Sequence, residues 1–189
     1  LIIGNGVVCR TAEMFNELFS GQKAIIVADD NTWRVAGADA QRSLDEAGIV
    51  SYPAFVFPSE DFYAEWKHIE TLKAHLEPLD AIAIAVGSGV INDTVKYVSF
   101  LLGRKYMCVG TAASMDGFTA YGSSITKDGN KQTFDCPAPF GFVLDSAIAA
   151  EAPKELAASG YADLIAKIPA AADWMLADAM GCEKIDEFA

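Results

Sequence analysis

The chain predicts an α/β layer protein, a mostly parallel sheet covered by helices on both faces and followed by a helical tail. Three observations predict it. Short β-branched runs alternate with amphipathic stretches as far as Thr111. The apolar residues within those runs are nearly continuous, as expected when both faces of a strand are covered. Beyond Thr111 the pattern changes first to a hairpin and then to an Ala-rich helical region.

Five runs read as buried parallel strands, at 1–8, 23–28, 50–57, 81–86 and 106–109. Helical patterns lie between them at about 12–19, 33–47, 61–76 and 90–102. The third follows Pro58 and Ser59, and Ser59 reads as its N-cap. Segments 118–127 and 131–136 flank Lys127-Asp128-Gly129-Asn130, where Asp-Gly is a strong hairpin signal. Segment 140–144 is a further short strand. From Pro153 onward the chain is helical, with Gly160 expected at a helix end and Pro169 expected to kink or restart the second helix. A domain boundary is placed near residue 150, dividing 1–150 from 151–189, and the second piece is too short to close a core of its own.

Composition narrows the function. Twenty-six acidic residues against fourteen basic ones give a net charge of −12. That argues against nucleic acid, whose phosphates need Lys and Arg on the binding face. Four widely spaced cysteines without a C-x-x-C pair read as free thiols in a reducing compartment. The opening LIIGNGVVCR lacks a signal-peptide pattern, and no apolar run is long enough to span a membrane. The expectation is a cytoplasmic protein without a membrane partner. An opening Leu1 and a last segment with no obvious stop fit an excerpt of a longer chain.

The chemistry starts where the fourth strand runs into Gly87-Ser88-Gly89 and a helical pattern follows at once. Glycines let a backbone approach phosphate oxygens closely, and a helix start offers unpaired N–H groups and a positive dipole end. Asp93 is expected in the first turn, accepting backbone N–H bonds and holding the loop rigid. Two glycines in a βα turn also occur for steric reasons alone. The motif is not G-x-G-x-x-G and does not follow the first strand, so an ordinary dinucleotide fold is disfavoured.

Three spaced motifs carry a family resemblance. AVGSGVINDTVKYVS, followed by VGTAASMDGFTAYGSS and then by APKELAASGYADLIAK, resembles the glycerol-1-phosphate dehydrogenase group. That group belongs to the superfamily of iron-containing alcohol dehydrogenases, glycerol dehydrogenase and dehydroquinate synthase. VADDNTWRVAG also fits, while Gly110 departs from the family's usual proline before Thr111. The resemblance spans nearly the whole chain. It implies a Rossmann-like NAD(P)-binding domain with a β-hairpin, then the first helices of an incomplete all-α domain that supplies most of a metal site.

The resemblance also assigns residues. Asp29 would sit near the adenosine ribose, where a carboxylate accepts hydroxyl bonds and repels a 2′-phosphate. A helix N-cap is the alternative for Asp29, and Asp30 competes for the ribose role. Gly87, Ser88, Gly89 and Asp93 would bind the diphosphate. Thr111 would lie beside the adenine ribose and Ser114 toward the nicotinamide, unless the two only cap a short helix. Asp116 would face substrate hydroxyls and the nicotinamide carboxamide, and Ser123 is a lesser nicotinamide candidate. Lys131 and Thr133 could approach an anionic substrate, but the resemblance assigns them no role.

Asp163 occupies the family's first metal-ligand position. A divalent metal, zinc first with nickel or iron as alternatives, would activate the substrate hydroxyl. The family's partner ligands are two histidines further along. His68 and His75 instead share an amino-terminal helix, far from Asp163, and read as solvated or interfacial. Lys167 stands where some alcohol dehydrogenases have another ligand histidine, which argues against that branch.

The expected function is reversible hydride transfer between a nicotinamide and a polyol or polyol phosphate, foremost sn-glycerol 1-phosphate and dihydroxyacetone phosphate, in a homo-oligomer. Asp116 and Asp163 are its catalytic candidates. Alternatives are glycerol dehydrogenase, a dehydroquinate synthase-like lyase, or a non-catalytic dinucleotide-binding fragment.

Overall fold

The computed structural model describes residues 1–186, and six of its strands form one parallel sheet. They are β1 (Ile2–Gly4), β2 (Ala24–Asp29), β3 (Phe55–Phe57), β4 (Ile82–Gly87), β5 (Tyr106–Gly110) and, after the hairpin strands β6 (Ser123–Lys127) and β7 (Asn130–Phe134), β8 (Gly141–Asp145). The order across the sheet is β1-β8-β5-β4-β2-β3. The helices are α1 (Thr11–Phe19), α2 (Asp30–Thr32), α3 (Ala38–Glu46), α4 (Trp66–Leu76), α5 (Gly89–Leu101), α6 (Ser146–Glu151), α7 (Lys154–Ile165) and α8 (Lys167–Ala179).

Adjacent residues of one strand serve opposite cores, which is why the strand runs are continuously apolar. Ile25, Ala83, Ala85 and Cys108 pack with Leu72, Val95 and Val98 of α4 and α5. Ile26, Ile84 and Met107 pack with Phe15, Phe19 and Leu44 of α1 and α3. Each fully buried side chain of this size contributes about 2 kcal/mol, so two cores sharing one sheet fix the strand register firmly.

Several elements are shorter than their sequence patterns. Only Phe55–Phe57 of the 50–57 run pairs as a strand, because Pro53 has no N–H to donate. The 1–8 run stops at Gly4; Gly6 takes φ 69°, and a 3₁₀ turn follows at Val7–Arg10. The 61–76 pattern becomes helical only at Trp66. Asp61 has φ 53°, and Glu65 is held by a bridge to Thr126. Ser59 therefore caps no helix, and its N–H donates to Asp30 Oδ2 at 3.2 Å.

The hairpin forms, but its first strand begins at Ser123 rather than 118, because Gly117–Thr119 is a 3₁₀ turn, and its second ends at Phe134. Asp128 and Gly129 both have positive φ, 51° and 76°, which suits a two-residue turn whose twist matches its strands. The strand near 140–144 enters the main sheet as β8, between β1 and β5.

Residue 150 falls within α6, and no residue of α6, α7 or α8 is buried. Pro153 is the N-cap residue of α7, and Pro169 sits in the first turn of α8, where the helix restarts after Ala166. Gly160 does not end a helix. It lies inside α7, where a Cβ would fall far inside contact distance of Ala113 O, so the missing side chain lets helix and loop touch. Among the described residues no helix is long and apolar enough to cross a membrane, and all four cysteines are free thiols.

Candidate functional site

The carboxyl ends of β2, β4, β5 and β8 face a cleft of about 750 Å³. Asp29, Asn31, Thr32 and Val35 form one wall, Ser88, Thr111 and Ala112 the floor, and α6 with the start of α7 the other wall. Open parallel sheets bind ligands at this edge because strand ends and helix starts converge there.

Ser88 precedes the first turn of α5 in an extended conformation, and no side chain caps the helix. Its first N–H groups are thus free to meet an anion. The glycines have the steric reason that sequence reading kept as the alternative. A Cβ on Gly87 would lie 2.7 Å from Ile91 Cβ, so Gly87 is required by packing between β4 and α5. A Cβ on Gly89 would lie 3.1 Å from Met115 Sδ, whose flexible thioether covers the helix start.

Asp29 does two things. Its Oδ1 accepts from Asn31 N at 2.8 Å and Thr32 N at 2.9 Å, while Thr32 Oγ1 accepts from Asp29 N at 3.0 Å, a complete capping box. Both bonds fall on Oδ1, which leaves Oδ2 as an acceptor on a residue that lines the cleft. Asp30 is occupied with Ser59 and does not line the cleft.

Thr111 is buried on the cleft floor, with its N–H bonded to Gly87 O at 3.2 Å. Ser114 is half-buried, and its Oγ has neither solvent contact nor a hydrogen-bond partner. The following 3₁₀ turn has no side-chain cap, so Thr111 and Ser114 do not serve as a capping pair. Ser114 does not line the cleft, and its hydroxyl is closed off from solvent.

Two candidates stand elsewhere. Asp93 lies one turn past the helix start and points to the hairpin, where Oδ2 accepts from Ser124 N at 3.4 Å. Burial raises its carboxyl to about 6 despite the opposing charge of Lys96. Asp93 therefore does not brace the glycine loop. Ser123 is buried, donates its hydroxyl to Asp93 O at 3.1 Å, and does not line the cleft.

Asp116 and Asp163, distant in sequence, meet. Asp116 N donates to Asp163 Oδ2 at 3.0 Å, and Lys167 Nζ pairs with Asp116 Oδ2 at 2.9 Å. The Asp116 N–H holds the Asp163 carboxyl below its ordinary value, with Lys167 and Lys131 adding to the effect. Lys167 is raised in turn by its bond to Asp116. Asp163 near the end of α7 and Lys167 at the start of α8 both reach Asp116, and sequence reading weighed Lys167 only as a missing histidine.

Among the described residues no group of three or more His, Cys, Asp or Glu side chains could hold a metal. Asp116 and Asp163 alone do not compose a metal centre, since zinc takes at least three protein ligands. His75 is exposed and lies tilted against Phe55, 4.6 Å between centroids, whereas His68 is half-buried and packs edge-on against Phe57 and Phe62.

Sequence reading also missed Asp145 and Lys96. Asp145 is buried at the start of α6 and accepts from Gly6 N, Val8 N and Ala147 N at 3.0–3.1 Å. A strand-terminal Asp before a helix was its visible signal.

Comparison with known proteins places this geometry in context. A family model described as iron-containing alcohol dehydrogenase matches residues 2–153. A Bacillus subtilis (strain 168) protein named glycerol-1-phosphate dehydrogenase (NAD(P)+) is 32% identical over 82% of this chain and 40% of its own length. Its namesake in Methanocorpusculum labreanum is 31% identical over 100% of this chain and 51% of its own length. The crystal structure of glycerol dehydrogenase from Schizosaccharomyces pombe superposes with a TM-score of 0.73 at 22% identity, covering 87% of this chain and 41% of that one. An iron-containing alcohol dehydrogenase from Thermotoga maritima superposes with a TM-score of 0.74 at 17% identity, covering 86% and 50%. The chain thus spans about two fifths to half the length of the relatives it matches.

Proposed function

As the chain belongs to the iron-containing alcohol dehydrogenase family, we propose that it is the nucleotide-binding part of an NAD(P)-dependent dehydrogenase of a glycerol-type alcohol, with glycerol 1-phosphate and dihydroxyacetone phosphate as the substrate pair. The observation that carries the reading is the uncapped start of α5, which opens beside a cleft at the carboxyl edge of the sheet. The substrate reading draws on the names of relatives 31–32% identical to this chain. Residues 1–150 would form the nucleotide domain and 151–189 the start of a helical domain.

Each residue then has a role its position allows. The first N–H groups of α5 bind the diphosphate, favoured by the helix dipole. Oδ2 of Asp29 accepts ribose hydroxyls while Oδ1 keeps the capping box closed. Asp116 orients substrate hydroxyls, with Lys167 balancing its charge. Bound NAD(P) supplies the hydride acceptor. The family implies a divalent metal, but the described residues do not make a centre for one, and no step is drawn through it.

The test is a titration of the chain with NADH and NADPH, followed by nicotinamide fluorescence. Saturable binding is expected, weakened at least about tenfold by Ser88→Asp, which improves helix capping yet repels phosphate. Unaltered binding by that variant, or no binding by the wild-type chain, overturns the reading. The isolated chain should not oxidise glycerol 1-phosphate with zinc, nickel or iron added. Metal-dependent turnover would refute that part.

A further inference from the structure

The helix that opens at the cleft also grips the segment carrying Asp116. Lys96, in the middle of α5, is only 1% exposed, although lysine is among the residues least often buried. Its Nζ reaches three backbone carbonyls, Ala120 O at 2.9 Å, Gly122 O at 3.1 Å and Gly117 O at 3.4 Å. An ammonium has three donors, so all three are used. The same stretch of α5 adds Asn92 Nδ2 to Phe118 O at 3.5 Å, Ser123 Oγ to Asp93 O at 3.1 Å, and Ser124 N to Asp93 Oδ2 at 3.4 Å. Tyr106 OH fixes Asn92 from β5 at 3.1 Å. Residues 117–124 thus hang from three positions of one helix, Asn92, Asp93 and Lys96, and Asp116 is the residue that leads into them.

We propose that Lys96 is a positioning residue that ties segment 116–122 to α5, so that the helix start that receives the dinucleotide and the acid that meets the substrate move as one unit. The proposal rests on the nucleotide reading above. Lysine is suited to this place because converging carbonyls build up negative potential that one buried cation can neutralise while donating to all of them. Asp93, one turn back, supplies a countercharge that opposes the penalty of burying the ammonium. A neutral side chain of similar length, such as Met, would fill the space and leave the carbonyls unpaired.

The test is amide hydrogen exchange of the chain with and without NADH, for wild type and Lys96→Met. In the wild type, NADH is expected to slow exchange across 116–122 about tenfold as α5 is immobilised. In the variant, NADH affinity should stay within about threefold, exchange of 116–122 without ligand should rise at least tenfold, and the NADH-induced protection there should vanish. Exchange in β4 and β5 should match the wild type, which separates a positioning role from general loosening. Equal protection of 116–122 in both proteins overturns the proposal. If Lys96→Met gives no cooperative unfolding transition, Lys96→Gln carries the same comparison, with partial protection expected from its two donors. If neither protein binds NADH, the nucleotide reading fails; the ligand-free exchange at 116–122 still decides whether Lys96 holds the segment, and unchanged exchange there overturns it.

Discussion

Asp163 Oδ2 accepts the backbone N–H of Asp116 at 3.0 Å, joining α7 to the loop that follows β5 across 47 positions of sequence. The contact depends on Gly160 three residues earlier, whose bare Cα rests against Ala113. Helix and loop are thus held by one polar bond and one steric permission.

Gly160→Ala tests which of two effects governs α7. Helix propensity alone favours Ala over Gly by about 1 kcal/mol. Here the added methyl would overlap Ala113 O, so α7 is expected to leave the loop and lose the Asp163–Asp116 bond. Limited proteolysis should cut within 154–179 several-fold faster than in wild type. Slower cutting would mean that propensity outweighs docking.

Asp145 should make the fold acid-labile. Burial pushes its carboxyl up, but backbone N–H donors from Val8, Gly6, Ala147 and Ile148 together outweigh that and hold it below its ordinary value. A depressed folded value means stability present above the ordinary aspartate range and lost as pH falls through the lower folded one. Asp145→Ala should cost about 2–4 kcal/mol at neutral pH, from several lost bonds and a lost helix cap. Urea midpoints between pH 7 and pH 2.5 should fall for wild type more steeply than for the variant.

Asp93 has the opposite sign. Burial raises its carboxyl from the ordinary 3.8 to about 6, so the neutral form suits the fold better. Its contribution is complete below the ordinary value and is lost as pH rises through about 6, amounting to at most about 3 kcal/mol. Asp93→Asn, neutral at every pH, should flatten the change in unfolding midpoint between pH 4 and pH 7. A variant as pH-dependent as wild type over that range would refute the assignment.

Gly87→Ala addresses the turn itself. The new Cβ would lie 2.7 Å from Ile91 Cβ, forcing β4 and α5 apart. Overpacking of this kind costs about 1–3 kcal/mol. It should also weaken NADH binding, because Ile91 is in the helix turn whose N–H groups are proposed to meet the phosphates. Calorimetry and titration together check both effects, and an unchanged melting temperature would contradict the packing argument.

Much of this protein is legible in its residue order. The continuous apolar runs at 24–29 and 82–87 identify strands covered on both faces, and Asp128-Gly129 identifies the hairpin. Other boundaries were hidden for local reasons. Ser51 makes an isolated bridge to Ala24, but Pro53 breaks the ladder before Phe55, and Glu65 is taken from its helical pattern by Thr126. The glycine turn is visible in the sequence, but which partner demands it is not: Gly87 packs against Ile91. Asp93 was expected to brace that turn and instead holds the hairpin, because helical rotation carries it to another face.

By itself the sequence determined the α/β class, the strands, the hairpin and the glycine turn at the helix start, since each depends on neighbours within a few residues. Only the tertiary structure decided that β8 enters the sheet between β1 and β5, that Asp116 meets Asp163, and that Lys96 gathers the carbonyls of Gly117, Ala120 and Gly122. Such contacts join residues more than twenty positions apart, where side-chain reach and close backbone approach set the partner. Periodicity carries no information about either.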